Sequence, residues 1–106
     1  MFEAAVIAHL RAWGVPVASG VRCGRWTFDG AVLSKRLLIE ADGTFWHSSP
    51  RVQARDARKD QWCAANGFTL FRVREDEFRR DRLAACGFIV ERWQNLTGKK
   101  ATRKAG

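Results

Sequence analysis

No apolar run in this sequence approaches the length of a membrane span. The opening residues, Met1-Phe2-Glu3-Ala4-Ala5, carry neither the basic stretch nor the apolar core of an export signal, so the chain is expected in the cytoplasm. Cysteine is scarce: Cys23, Cys63 and Cys86 are odd in number and far apart. No CxxC or Cys/His cluster has the spacing of zinc ligands, which argues against a structural zinc or a disulfide framework and for reduced thiols. There is no internal repeat and no small-molecule cofactor motif. With 106 residues the chain suffices for one core and is too short for two.

Acidic residues are in the minority. Eleven Asp and Glu face nineteen Lys and Arg, a formal charge of +8, and fourteen of the nineteen are Arg. Arginine suits bidentate contact with phosphate, so the excess points to a polyanionic partner, most simply nucleic acid. A merely solvated, soluble surface is the alternative reading of the same excess.

Phe2, Ala5, Val6, Leu10 and Trp13 recur with helical spacing, and Gly14 with Pro16 ends the run, so residues 2–13 form the first predicted helix. Residues 17–21 read as extended. Residues 25–33 and 36–42 read as the strands of a hairpin around Ser34-Lys35, an unfavoured turn pair that leaves room for a four-residue loop. Residues 51–66 form a charged helix that closes at Asn66-Gly67. The run "FTLFRVR" at 68–74 is strand-like, and Glu75-Asp76-Glu77 place negative charge at the start of another helix over 77–96, broken near Gly87. Residues 1–96 then make one domain, and residues 97–106 a basic, disordered tail. This order of elements predicts a small α/β or α+β domain with a mixed sheet.

The chemistry concentrates in "LLIEADGTFWH", residues 37–47. Alternation along a strand puts Glu40 and Asp42 on one face and Ala41 on the other. An even loop centred between Ser34 and Lys35 pairs residues whose numbers sum to 69, which sets Asp29 opposite Glu40. Directly opposed residues share a face, so Asp29, Glu40 and Asp42 are expected to converge. Three adjacent carboxylates need a shared cation or protons, and oxygen donors favour Mg²⁺ or Mn²⁺. Asp29-Gly30 and Asp42-Gly43 are also ordinary turn dipeptides, which is the competing explanation. His47 has the reach of a general base or proton relay, and its spacing fits a hydrogen-bonded histidine beside Trp46 equally well. His9, in the first helix, is assigned a structural or surface role. In the charged helix, Arg51, Arg55, Arg58 and Lys59 suit phosphate contact, although ion pairs with Asp56 and Asp60 explain the pattern without function. Trp46 is a candidate for stacking on bases, whereas most of the five tryptophans belong to the core.

Asp29, then "IEADGTFWH" and "RDARKDQWCAANGFTLFRV", resembles the PD-(D/E)xK nuclease superfamily, and within it the very-short-patch-repair endonucleases and the EDxHD homing endonucleases. The similarity runs from about Glu3 to Arg80. It implies a restriction-endonuclease-like core with a mixed β-sheet flanked by helices. It also implies that Asp29 is the central metal ligand and that Ala41 offers its backbone carbonyl to the same metal. His47 matches the family histidine beside the attacking water, Glu3 an acid on the first helix that orients the site, and Asp56 an acid of the following helix. The superfamily's usual lysine position holds Asp42, and Thr44 stands where the repair enzymes have a zinc-binding cysteine, which favours the homing-type or uncharacterised branches.

The expected activity is therefore Mg²⁺- or Mn²⁺-dependent hydrolysis of a DNA phosphodiester. One small domain holds one active site, so cutting both strands calls for a homodimer or two successive events. A non-catalytic nucleic-acid-binding module on the same scaffold, an interaction domain whose acids only cap turns, and a nuclease acting on RNA are the rival readings.

Overall fold

The computed structural model describes residues 1–43 and 49–100. Helix α1 (Phe2–Ala12) is followed by strands β1 (Ala18–Cys23), β2 (Trp26–Val32) and β3 (Leu37–Asp42), helix α2 (Pro50–Ala65), strand β4 (Thr69–Arg74), and helices α3 (Glu75–Arg80) and α4 (Arg82–Thr97). The four strands form one sheet in the order β1-β2-β3-β4. β1/β2 and β2/β3 are antiparallel, and α2 carries the chain across to β4, which lies parallel to β3.

The sheet is the middle of three layers. On one face Val6, Ile7 and Leu10 of α1, Phe78 of α3 and Cys86, Ile89 and Trp93 of α4 pack on Val17, Val32, Leu37, Ile39 and Val73. Each such fully buried aliphatic side chain contributes roughly 1.5–3 kcal/mol before entropic costs. The other face is thinner. There α2 sets Cys63 and Trp62 on Phe28, Ala31, Leu38 and Leu70, and Trp62 stacks on Phe68 with ring centroids 5.6 Å apart.

The hairpin has the register expected from its loop: Val32↔Leu37, Ala31↔Leu38 and Gly30↔Ile39. Its loop is the four-residue form, a 3-10 turn over Leu33–Lys35 closed by Arg36 in the left-handed region at φ 56°. Gly30 is where α1 comes closest: a Cβ there would lie 2.6 Å from Ile7 Cδ1 and 2.8 Å from Val17 Cγ1.

Two expectations shift. The break in the C-terminal helical region falls at Asp81, not Gly87, because Asp81 leaves helical geometry (φ −159°) and its carboxylate accepts the Ala84 N–H at 3.1 Å. That is a standard N-cap, and Gly87 lies inside α4. The helix also runs one residue past the expected end, to Thr97, with Gly98 in the left-handed region as its cap.

Candidate active site

The alternation of faces along β2 slips by one residue at Asp29. Trp26 and Phe28 pack in the cluster under α2, whereas Gly30, two residues on from Phe28, faces Ile7 and Val17 on the α1 side. The neighbouring strand slips with it at Gly20, whose φ of +59° is open to glycine, between the pairs Ser19↔Gly30 and Val21↔Phe28. The register is therefore as expected while the facing of Asp29 is not. Asp29 lines a cleft beside α1 together with Glu3, Arg11 and Thr27. Glu40, Asp42 and Asp56 line another cleft beside α2. Among the described residues no three His, Cys, Asp or Glu side chains are grouped as ligands of one ion, so the three-carboxylate pocket expected of Asp29, Glu40 and Asp42 is not formed.

What forms instead is an exchange of hydrogen bonds where β2 and β3 part. Beyond Gly30↔Ile39 the backbone pairing stops. The Asp29 N–H donates to Glu40 Oε1 at 3.3 Å, and the Ala41 N–H donates to Asp29 Oδ2 at 2.8 Å. Two carboxylates have replaced ladder carbonyls as acceptors, which keeps buried amides satisfied while the strands separate. Asp29 and the backbone of Ala41 are thereby locked to each other.

Glu40 is held from its other side. Lys59 Nζ lies 3.1 Å from Glu40 Oε2 and donates also to the Thr27 carbonyl at 3.2 Å. It sits 5.0 Å from the centroid of Phe28 and 5.7 Å from that of Trp26, within cation–π range. Burial pushes the Glu40 carboxyl above its usual range and the Asp29 charge adds to this, while the Lys59 charge and hydrogen bond pull the other way. Lys59 itself is only 8% exposed. Its expected place among the phosphate contacts is corrected accordingly: it points at the sheet, while Arg51, Arg55 and Arg58 on the same helix are exposed. The expected metal role of Glu40 meets the same difficulty, since both of its oxygens are already engaged by Lys59 and Asp29.

Asp42 and Asp56 belong to a second charged cluster, centred on Arg72 of β4. Arg72 Nη1 lies 3.5 Å from Asp42 Oδ2 and 3.7 Å from Asp56 Oδ1, and Nη2 bonds Asp60 Oδ1 at 2.9 Å. Burial alone would make this guanidinium easier to deprotonate, but the three carboxylates outweigh it and hold its pKa above the ordinary value. Arg72 was not singled out by sequence reasoning, and neither was the inward role of Lys59. The signal was present: Val52, Asp56, Lys59 and Cys63 follow one another at helical spacing on the side of α2 that meets the sheet, so two charges had to lie on its inner stripe.

Glu3, on the first turn of α1, is exposed and pairs with the N-terminal ammonium at 3.2 Å. Its carboxyl is held below its usual range by the hydrogen bond from its own backbone and by that ammonium. Glu3 also borders the cleft that holds Ala41, Gly43, Glu75, Phe78, Arg79 and Arg82, with a volume of about 700 Å³. His47, Trp46 and Thr44 lie outside the described residues. His9, in its expected structural role, meets Phe78 edge-on at 6.0 Å.

This sheet, its helices and the acid-bearing fork between β2 and β3 define a nuclease domain of the PD-(D/E)xK kind. The chain belongs to the restriction-endonuclease-like family REase_MTES_1575, whose model matches residues 2–92. Among solved structures it is similar to a "Homing Endonuclease I-Bth0305I Catalytic Domain", with a TM-score of 0.74 and 20% identity over 90% of this chain and 95% of that one. At that identity the likeness speaks to the fold. No curated protein matches the sequence. No helix among the described residues is long and apolar enough to cross a membrane.

Proposed function

We propose that the protein is a divalent-metal-dependent endonuclease that hydrolyses a DNA phosphodiester, with Asp29 and the carbonyl of Ala41 as the residues that hold the ion. The observation that carries this reading is the Ala41 N–H to Asp29 Oδ2 bond, which fixes a carboxylate beside a backbone carbonyl at the fork of two strands. The donors are all oxygen, the chemistry that suits Mg²⁺ or Mn²⁺. Among the described residues Asp29 Oδ1 has no hydrogen-bond donor, so one oxygen of this carboxylate is available. When bound, the ion supplies charge stabilisation at the phosphate and a more acidic water.

The rest is done by the chain. Glu3 borders the Asp29 cleft and the Ala41 cleft alike, a position from which it orients groups at the fork. His47 is proposed to accept the proton of the attacking water. Asp42 and Asp56, tied to Arg72, shape the α2 side. Phosphates on either side of the scissile bond are bound by Arg51, Arg55 and Arg58 on α2 and by Arg79 and Arg82, which line the cleft shared with Glu3 and Ala41. Residues 1–96 act as one domain. We read the enzyme as nearer the homing type than the repair type, because Thr44 stands where the repair enzymes have a zinc-binding cysteine.

The test is nicking of supercoiled plasmid with Mg²⁺, Mn²⁺ or chelator. Wild type is expected to nick only with metal, and Asp29→Ala and His47→Ala to lose at least a hundredfold in rate. Metal-dependent cleavage that survives Asp29→Ala would refute the assignment. One observation favours a second reading, a nucleic-acid-binding module without chemistry: Glu40 and Asp42 each already face a cation, Lys59 and Arg72. In that case plasmid binding is indifferent to Mg²⁺ and no variant changes cleavage, because there is none.

A further inference from the structure

We propose that Lys59 and Glu40 are a positioning pair for Asp29, neither a phosphate contact nor a metal ligand. The inference rests on the reading of Asp29 as the metal-holding carboxylate and extends it to the opposite face of the sheet. The connection is continuous. Lys59 Nζ bonds Glu40 Oε2 at 3.1 Å, Glu40 Oε1 accepts the Asp29 N–H at 3.3 Å, and Asp29 Oδ2 accepts the Ala41 N–H at 2.8 Å. One helix thus fixes the backbone of Asp29 through a carboxylate, and Asp29 in turn fixes the backbone of Ala41. Both residues assigned to the ion are the end of a chain that begins on α2.

The alternatives do not fit the surroundings of these groups. A lysine that binds DNA needs its ammonium in solvent, yet the Lys59 side chain is 10% exposed and its ammonium is confined by Glu40, the Thr27 carbonyl and two aromatic rings. A carboxylate that binds a metal must free an oxygen. Glu40 would have to abandon either the lysine, leaving a buried ammonium without its counter-charge, or the Asp29 amide, which has lost its ladder partner where the strands part. A positioning role asks nothing of either group beyond the bonds already present. Outer partners that orient metal-binding side chains commonly matter tenfold to a hundredfold for affinity or activity.

The experiment compares wild type with Lys59→Met, Lys59→Arg, Glu40→Gln, Glu40→Ala and Asp29→Ala. Four readouts separate the roles: the kcat and KM for nicking, Mn²⁺ binding by calorimetry, the salt dependence of plasmid binding, and the Asp29 amide resonance in ¹⁵N spectra. Lys59→Met and Glu40→Ala are expected to lower kcat about tenfold to a hundredfold with KM for DNA little changed. Lys59→Arg should recover most of the loss, and Glu40→Gln, which keeps an acceptor for the Asp29 amide, should lose less than Glu40→Ala. The Asp29 amide resonance should move in Lys59→Met and Glu40→Ala even without metal.

Three results overturn the proposal. The first is a Lys59→Met protein with unchanged kcat and a salt slope smaller by about one, the mark of a lost phosphate contact. The second is Glu40→Gln abolishing Mn²⁺ binding as fully as Asp29→Ala, the mark of a ligand. The third is an Asp29 amide that does not respond to Glu40→Ala. Should Lys59→Met fail to fold, Lys59→Arg and the Glu40 variants carry the comparison. Should wild type neither nick nor bind Mn²⁺, the proposed function fails, and the amide resonance alone decides whether the pair positions Asp29.

Discussion

Replacing Gly30 with alanine tests the packing that brings α1 to the fork. The added Cβ would stand 2.6 Å from Ile7 Cδ1 and 2.8 Å from Val17 Cγ1, closer than side-chain carbons approach, in a core where Ile7 and Val17 are each 4% exposed. Overpacking of this kind costs about 1–3 kcal/mol. Gly30 has no left-handed backbone requirement, so alanine also stiffens the unfolded chain and returns about 0.4–1 kcal/mol. The net expectation is a loss of roughly 0–2.6 kcal/mol, centred on about 1.3 kcal/mol, or a Tm lower by about 6 °C at that centre for a domain near this size. Ile7→Val removes Cδ1 and should itself cost about 0.5–1.5 kcal/mol. In the Gly30→Ala background the same change relieves one of the two clashes, so the double variant should be no less stable than Gly30→Ala alone. Urea unfolding followed by tryptophan fluorescence measures all four proteins. If the two losses simply add, the close approach of α1 to the sheet is wrong.

Other outcomes follow from the charged clusters and the core. Arg72→Met leaves Asp42, Asp56 and Asp60 facing one another, so stability should fall by about 1–3 kcal/mol, and 1 M NaCl should recover part of the loss in thermal unfolding. Binding of plasmid DNA should weaken steeply with salt, and Arg55→Ala with Arg58→Ala should lower the slope of log K against log salt by up to about two. Cys86, fully buried, has its thiol pushed up from 9.0 to about 11. Between those values the unfolded chain has released the proton and the folded one has not, so stability is complete below pH 9 and falls as pH rises toward 11, as urea titrations across that range will show. In native protein Cys86 should resist alkylation at pH 8 while Cys23, half-buried, reacts.

The sequence made the elements legible because their signals are local. Gly14 and Pro16 after α1, Asn66-Gly67 after α2 and the acids opening α3 each mark a boundary by their own chemistry. The hairpin register was legible for a similar reason, since the parity of a short loop fixes which residues pair. The facing of Asp29 was not, because register and facing are separable properties. A paired slip at Gly20 and Asp29 keeps the β1/β2 register the same on either side of it and still turns a side chain to the other side. Nothing in residues 25–33 alone announces it; the change of facing goes with the packing of Ile7 and Val17 on Gly30, a contact that joins segments separate in sequence. The Asp81 cap carries a local signal of its own, an N-cap aspartate, whereas Gly87 is a glycine that the helix tolerates.

Lys59 shows why composition misleads at such a site. A helix with only Lys59 and Cys63 fully buried looks like a solvated surface element, and its Arg-rich exterior is one. Yet a nearly polar helix can still be held on a sheet if its inner stripe carries a charge that meets an opposite charge there. Glu40 supplies that charge, and it can do so only because β3 has left β2 and exposed the Asp29 amide for its other oxygen. The opening of the sheet, the seating of α2 and the fixing of Asp29 are therefore one event in the folded chain. A substitution that repairs the ladder between Asp29 and Glu40 would stabilise the hairpin and, by the same step, release both α2 and the carboxylate on which hydrolysis is proposed to depend.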